Sequence, residues 1–598
     1  MASAVEKGRQ GRRKAQPLRP ERNGLGCALS TLALVFAAML TFLALLLPPF
    51  SLAEQLFGTP FLPLNNRLVS DDLILTAAGA NSLNIRLSKL SAAAFSGLPE
   101  PQDDLLRQAR AALPRTLAPL SSIYRLEQRG TPPDSLTLAF ALPDGVEPAQ
   151  ADLYGYDAAL GHWRFIPAQR AVIDGRLSLV AVLNNVQRLP EALFIGRLAL
   201  QVPVVSVVIE AGQAFKPEVA AVANVVHPAG LMPNVEGALD GALPSGVAFG
   251  DSYAVVPIIR NYRGNSAPDA ALIEALLNEP ERRQAHLDYL LEFARSQPYS
   301  GIAIEYLDLP SSLRDAYSAF ISALASALHA EGRSLTLVLP FPTPSGSQFE
   351  TGAYDWRTLG ALADSVQIIL PLNPRDYLPE GVVRRAMAWA VGEISRAKLH
   401  AVISVRSVVQ EGSQWLPISY REALAPLSEL RVTPEGVLAP DTPVQLQIAP
   451  ERAAFGVEAS MPVVRYKSVE GSFTRAVWLM TSSALRDRLG TLLVNNWAGV
   501  QVPDFAADGA YLQGTRVLAQ YKTYRAGQTW FVPVPADLAV QWRVSVGETV
   551  LAEQTEGIGQ PFVFTPDGTY RDIQVSAVLA ELDFPLARVT LQVARSQS

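Results

Sequence analysis

Hydrophobic positions change period several times along the chain. Between residues 68 and 200, short stretches alternate apolar and polar side chains: DDLILTAA, SLNIRLSKL, SLTLAFAL, ADLYGYD, HWRFIPA, RLSLVAVL and EALFIGRL. A period of two marks strands with one buried face. Turn signals such as Pro143-Asp144-Gly145 and Asp174-Gly175 separate them, and one helical patch near 102–112 interrupts. The spacing predicts a β-sandwich over 68–203, with Tyr154 and Trp163 as core aromatics.

From about residue 221 to 505 the period changes, and continuous apolar runs alternate with amphipathic helices. The runs are 222–228, 253–260, 301–307, 335–341, 366–372, 400–406 and 499–505. Short apolar runs between helices indicate βα units around a parallel sheet. One helix opens at Pro280, with Leu287, Leu290, Leu291 and Ala294 inward. A second is expected at Ser311-Ser312 with Asp315 in capping-box position, ending at Gly332. Two more are expected over 381–396 and 484–494. Seven strands of an eight-stranded (β/α)8 barrel are visible over 204–506, the second being expected within 240–249. A Pro-rich, strand-like stretch, 432–480, reads as an insertion in the last repeat. Residues 507–598 return to strand patterns, including RVLAQYKTY, TWFVPV and VQWRVSVG, and predict an immunoglobulin-like β-sandwich.

The N-terminus adds topology. Seven Lys and Arg residues within 1–24 precede an uncharged apolar run, 25–47, and about 20 such residues span a bilayer. The charge bias places 1–24 in the cytoplasm and the bulk of the chain, after a 48–67 linker, outside. The predicted partner is therefore the cell membrane, through an uncleaved signal anchor. A signal peptide cut after Ala53 is the competing reading. Cys27 is the lone cysteine, so no disulfide framework forms within the chain. A net charge of −6 without a basic cluster beyond the N-terminus argues against nucleic acid. The five scattered histidines suggest no metal site, and no cofactor is implied.

Candidate chemistry sits where apolar runs end. In a βα barrel, catalytic groups occupy the carboxyl ends of the strands. Glu305 closes the run 301–307 and Asp308 follows in the loop, so they are the candidate catalytic carboxylates. The plain alternatives are an ion pair inside the barrel for Glu305, and a helix cap or solvated loop residue for Asp308. Asn261, Tyr262, Asp376, Tyr377, Arg406 and Asp504 also follow strand runs and form the candidate ligand-binding set.

Several stretches, among them GIAIEYLDLP, YSAFISALASALHAEGRSLTLVLP and VWLMTSSALRDRLGTLLVNNWAGVQVPDF, resemble the glycoside hydrolase family 18 barrel, particularly its spore-peptidoglycan branch. The resemblance covers roughly residues 220–505 and implies a TIM-barrel fold. It also implies a missing machine. The family's acidic strand motif falls on Ser300, Ala303, Glu305 and Leu307, which puts leucine in the proton-donor place. Its Met-x-Tyr-Asp motif falls on Ile369, Leu370, Pro371 and Leu372, and its aromatic floor on Pro503.

The leading expectation is therefore a membrane-anchored, extracytoplasmic, catalytically inactive barrel that binds envelope or extracellular glycan, or a protein. The alternatives are a divergent active glycosidase on N-acetylglucosamine-containing polysaccharide or peptidoglycan, using Glu305 and Asp308, and a structural envelope protein.

Overall fold

The structure, a computed structural model, describes residues 67–594 except 79–83, 115–116, 132, 147, 185–188, 199–201, 251, 265, 347, 449–452, 468–472, 506–510, 525–528 and 534–537. It also describes Phe36, Ala37, Met39 and residues 59–60. The predicted anchor thus lies outside the described residues apart from Phe36, Ala37 and Met39, which are helical and exposed. No helix among the described residues is long and apolar enough to cross a membrane.

Eight parallel strands close into a barrel: β1 (Val204–Ile209), β2 (Val225–Pro233), β3 (Ala254–Val255 and Ile258–Arg260), β4 (Gly301–Glu305), β5 (Ser334–Leu339), β6 (Ser365–Ile369), β7 (Leu399–Val402) and β8 (Gly499–Val502). Closure comes from β1, which pairs with β8 (Val204 opposite Gly499) and with β2 (Ser206 opposite Val225). The strand missing from the sequence reading is the first, not the second. The run VVSVVI forms β1, whereas 239–241 is a short antiparallel strand on the edge of β2. Val208, Ala229, Val256, Ile258, Ala303, Val338 and Val402 fill the interior as buried aliphatic layers. A Cβ at Gly301 would stand 2.0 Å from the Ser334 carbonyl oxygen, so β4 can approach β5 there only as glycine.

Two further sheets precede the barrel. A seven-stranded and a five-stranded antiparallel sheet share one core that includes Leu75, Phe140, Leu153 and Ile195. Tyr154 and Trp163 are buried as expected, but on the side that faces the barrel. There Arg396, 5% exposed, donates to Asp152 Oδ2 (2.5 Å) and to the Tyr154 hydroxyl (2.8 Å), with its guanidinium 4.3 Å from the Phe165 ring centroid. This buried cation–π and ion-pair contact ties the sandwich to the loop that enters β7.

The helix after β4 differs from its expected start. A 3-10 turn, Ser311–Leu313, leads into Arg314–Ala330, and neither carries a side-chain cap. The excursion after β7 starts earlier than 432. Strands 407–411 and 414–418 join 453–458, 461–467 and 473–478 in one five-stranded sheet. Strands 430–433 and 444–448 instead pair onward to Phe562–Phe564. The closing β-structure is therefore composite. Its four-stranded sheet, 539–592, shares a core with both excursion sheets through Val409, Leu446, Val464, Trp542, Phe562 and Val575.

A second correction falls at residues 511–523. The segment containing RVLAQYKTY is a helix, and Val517, Leu518 and Tyr521 are its buried face. It packs against the helix Pro217–Val222 on the barrel wall. Residues 529–533, from TWFVPV, form no strand; Trp530 Nε1 donates to the Arg486 carbonyl (2.8 Å).

Candidate functional site

Three strand ends bring one charged cluster together at the carboxyl-end face of the barrel. Glu210 follows β1, Arg260 ends β3 and Glu305 ends β4. β3 and β4 pair in register with Arg260 opposite Glu305, so adjacent parallel strands present these side chains in one direction. Arg260 Nε donates to Glu305 Oε2 (2.7 Å), and its Nη1 donates to Glu210 Oε1 (2.6 Å). The Tyr262 hydroxyl donates to Glu305 Oε1 (2.6 Å), while the guanidinium carbon lies 5.2 Å from the Tyr262 ring centroid.

Both carboxylate oxygens of Glu305 are thus occupied, and the residue is 5% exposed. A buried carboxylate needs such a partner because leaving water costs several kcal/mol. Burial, then the Glu305 charge, pushes the Tyr262 phenol far above its ordinary pKa, so it stays a donor. Burial opposes the charge on Arg260, but Glu305, Tyr262 and Glu210 outweigh it and hold the guanidinium cationic.

The loop after β4 is held by a different device. Asn261 is fully buried, and both ends of its amide grip the backbone of Leu307. Nδ2 donates to the carbonyl (3.0 Å) and Oδ1 accepts from the N–H (2.9 Å). On the far side His286 bridges the Gly237 carbonyl (2.7 Å) and the Tyr306 hydroxyl (2.7 Å), and stacks on Phe320. The Tyr354 hydroxyl donates to the Tyr306 carbonyl (2.9 Å). Residues 306–309 are clamped from two sides, and Leu307 is set rigidly at the mouth. Asp308 lies exposed with φ 58°, in the left-handed region that aspartate tolerates, and it caps no helix.

The remaining candidates follow β6, β7 and β8. Asp504, after β8, accepts from the Val405 N–H (3.0 Å) and from the Ser404 hydroxyl. Burial raises its pKa against these bonds and against the charge of Arg406. Arg406 stands 3.9 Å from Glu422. Asp376, after β6, is half-buried; burial raises its pKa against a hydrogen bond from Asn373 (3.1 Å). Tyr377 is buried rather than presented to a ligand. Its hydroxyl donates to the Pro371 carbonyl (3.0 Å), and the buried Arg488 guanidinium lies 4.6 Å from its ring centroid.

The geometry therefore brings Glu305 and Tyr262 together, gives Asp376, Arg406 and Asp504 other partners, and withdraws Asn261 and Tyr377 into structural contacts. Sequence reasoning missed Glu210 and Arg260. Each is a charged residue that ends an apolar run, the same signal that pointed to Glu305. Glu210 escaped because β1 was not counted as a barrel strand. Among the described residues no three His, Cys, Asp or Glu side chains group to hold a metal.

No protein-family model matches the chain. A Bacillus subtilis (strain 168) protein, provisionally named sporulation-specific glycosylase YdhD, is 21% identical over 213 residues, 35% of this chain and 47% of that protein. The chain thus spans about half the length of the curated relative it matches. Similar solved structures include a chitinase from Chromobacterium violaceum ATCC 12472, 17% identical with a TM-score of 0.41, covering 54% of this chain and 100% of that one. The spore cortex-lytic enzyme SleL of Bacillus megaterium QM B1551 is 16% identical with a TM-score of 0.41, covering 57% and 79%. The chain carries a closed eight-stranded barrel that resembles the glycoside hydrolase 18 barrel.

Proposed function

We propose that the barrel binds an N-acetylglucosamine-containing glycan, such as peptidoglycan, without hydrolysing it. In the same reading, residues 25–47 anchor the chain in the cell membrane with its bulk extracytoplasmic. The observation that carries the first part is the state of Glu305. Arg260 and Tyr262 occupy both its oxygens, and a carboxylate tied this way is a poor proton donor. Leu307, clamped by Asn261, has no proton to give. The glycan part is supported by the resemblance and by the glycosylase name of the matched relative.

A second reading, an active glycosidase, draws on Asp376 and Asp504. Burial pushes both carboxyls up, towards the protonated form a general acid needs. One experiment separates the two. The full chain is incubated with N-acetylglucosamine oligomers and with peptidoglycan, and both retention and released reducing ends are measured. Retention without release is expected. Release that disappears in Asp504→Asn or Glu305→Gln overturns the binding-only reading, and absence of retention overturns the glycan.

A further inference from the structure

The four-stranded sheet near the C-terminus has one face that the shared core does not use. Val540, Trp542, Val544, Ile573 and Val575 point inward and are buried. The alternate positions point outward and border an open groove of about 590 Å³ that includes Arg543, Ser545, Gly547, Gln574, Ser576 and Arg588. Cross-strand register sets Arg543 opposite Ser576, and Ser576 opposite Arg588. The two arginines therefore flank a serine in one row, about 10 Å apart at the backbone, or two strand spacings.

Neither charge is locked in a close ion pair, although Glu553 stands opposite Arg543 on the same face. Among the described residues neither arginine forms an ion pair. Arg588 donates instead to the Gln574 side-chain oxygen, and Glu553, opposite Arg543 in register, accepts from Gln541. Both arginines are exposed, on a chain whose net charge is −6. Two exposed guanidiniums flanking one row, neither in a close ion pair, form a site that favours carboxylate or phosphate, which guanidinium binds by two parallel hydrogen bonds.

We propose that this groove binds an acidic polysaccharide, whose anionic groups engage Arg543 and Arg588 while its hydroxyls meet Ser545, Gln574 and Ser576. The lining favours this occupant over others. No aromatic side chain borders the groove, so it lacks the anchors of a protein hot spot and the stacking platforms of single-stranded nucleic acid. Two cations are also too few for a nucleic-acid backbone. The lining mixes hydroxyl and amide groups with the apolar surface of Pro585, Leu586 and Ala587, which suits the alternating hydroxyl and C–H faces of a sugar ring. The site lies on a sheet separate from the barrel mouth and does not depend on what the mouth binds.

The test is affinity electrophoresis of the full chain through gels holding polygalacturonate, poly(glycerol phosphate) or neutral dextran. Retardation by at least one polyanion and none by dextran is expected, and which polyanion retards identifies carboxylate or phosphodiester as the recognised group. R543Q/R588Q should weaken retardation at least about tenfold, since each lost charge-assisted contact matters. S576W, which fills the groove and leaves both charges in place, should weaken it too. Circular dichroism should match wild type for both variants, because all three positions face outward. No retardation by either polyanion, or equal retardation of wild type and R543Q/R588Q, overturns the proposal.

Discussion

Removing the Arg260 guanidinium tests whether Glu305 is held for structure. In Arg260→Met the side-chain volume is roughly kept, but Glu305 Oε2 loses its donor at a residue that is 5% exposed. Breaking a buried ion pair from one side costs about 3–5 kcal/mol, because the remaining charge stays desolvated. Tyr262 still donates to Oε1, which places the expectation near about 3 kcal/mol. Glu210 sheds its partner at little cost, since its side chain is 35% exposed and water replaces the guanidinium. For a unit of barrel size, 1 kcal/mol moves the melting temperature by about 2–4 °C, so a drop of about 10 °C is expected. The double variant Arg260→Met/Glu305→Leu removes both charges and should recover most of that loss. Differential scanning calorimetry of wild type, both singles and the double gives the coupling directly. A single-variant loss below about 1 kcal/mol, or a double as unstable as the sum of the singles, refutes the argument that the pair is a mutual structural lock.

Three buried histidines make a second prediction. His227, His286 and His400 are held neutral, burial lowering each from 6.5 to about 4. The unfolded chain then binds more protons below pH 6.5, so their contribution is complete above that pH and is lost as pH falls towards 4. At pH 5 each costs about 2 kcal/mol; urea midpoints from pH 7 to 5 should fall steeply, less so in His286→Gln after correction for its pH 7 stability, and a flat profile would contradict the burial argument. Arg396→Met removes the contacts to Asp152, Tyr154 and Phe165 and should cost about 3 kcal/mol, with hydrogen exchange rising over 152–166. Unchanged exchange there would mean the sandwich docks by other contacts. Gly301→Ala forces a methyl against the Ser334 carbonyl and should cost at least about 3 kcal/mol by chemical denaturation, and a neutral effect would show that β4 and β5 can separate freely.

Much of the barrel was legible because parallel strands are buried on both faces and read as unbroken apolar runs. The starts of β4 to β8 fall within one residue of such runs, whereas the runs continue two to four residues past each strand's end, because the apolar pattern carries on into the loops at the barrel mouth. β1 has the same signature, yet it adjoins a zone of antiparallel strands, and nothing local says which sheet a strand joins. RVLAQYKTY is a short segment whose apolar residues fit either period; packing of Val517, Leu518 and Tyr521 on the barrel wall decided for helix. The composite closing sheets were also beyond local reading, because residues 444–446 and 562–564 are neighbours by pairing alone.

The same division runs through the site. Residue order alone determined that a carboxylate ends β4, that leucine stands two places further on, and that polar or charged residues follow several of the other strands. Those are consequences of composition along one strand. Only closure of the barrel decided what Glu305 does, because Arg260 and Tyr262 lie more than 40 positions away and reach it only when β3 pairs with β4. Closure likewise turned Asn261 and Tyr377 from exposed candidates into buried clamps. Burial and partner are properties of the packed chain, and they set whether a carboxylate at a strand end gives a proton or holds an arginine.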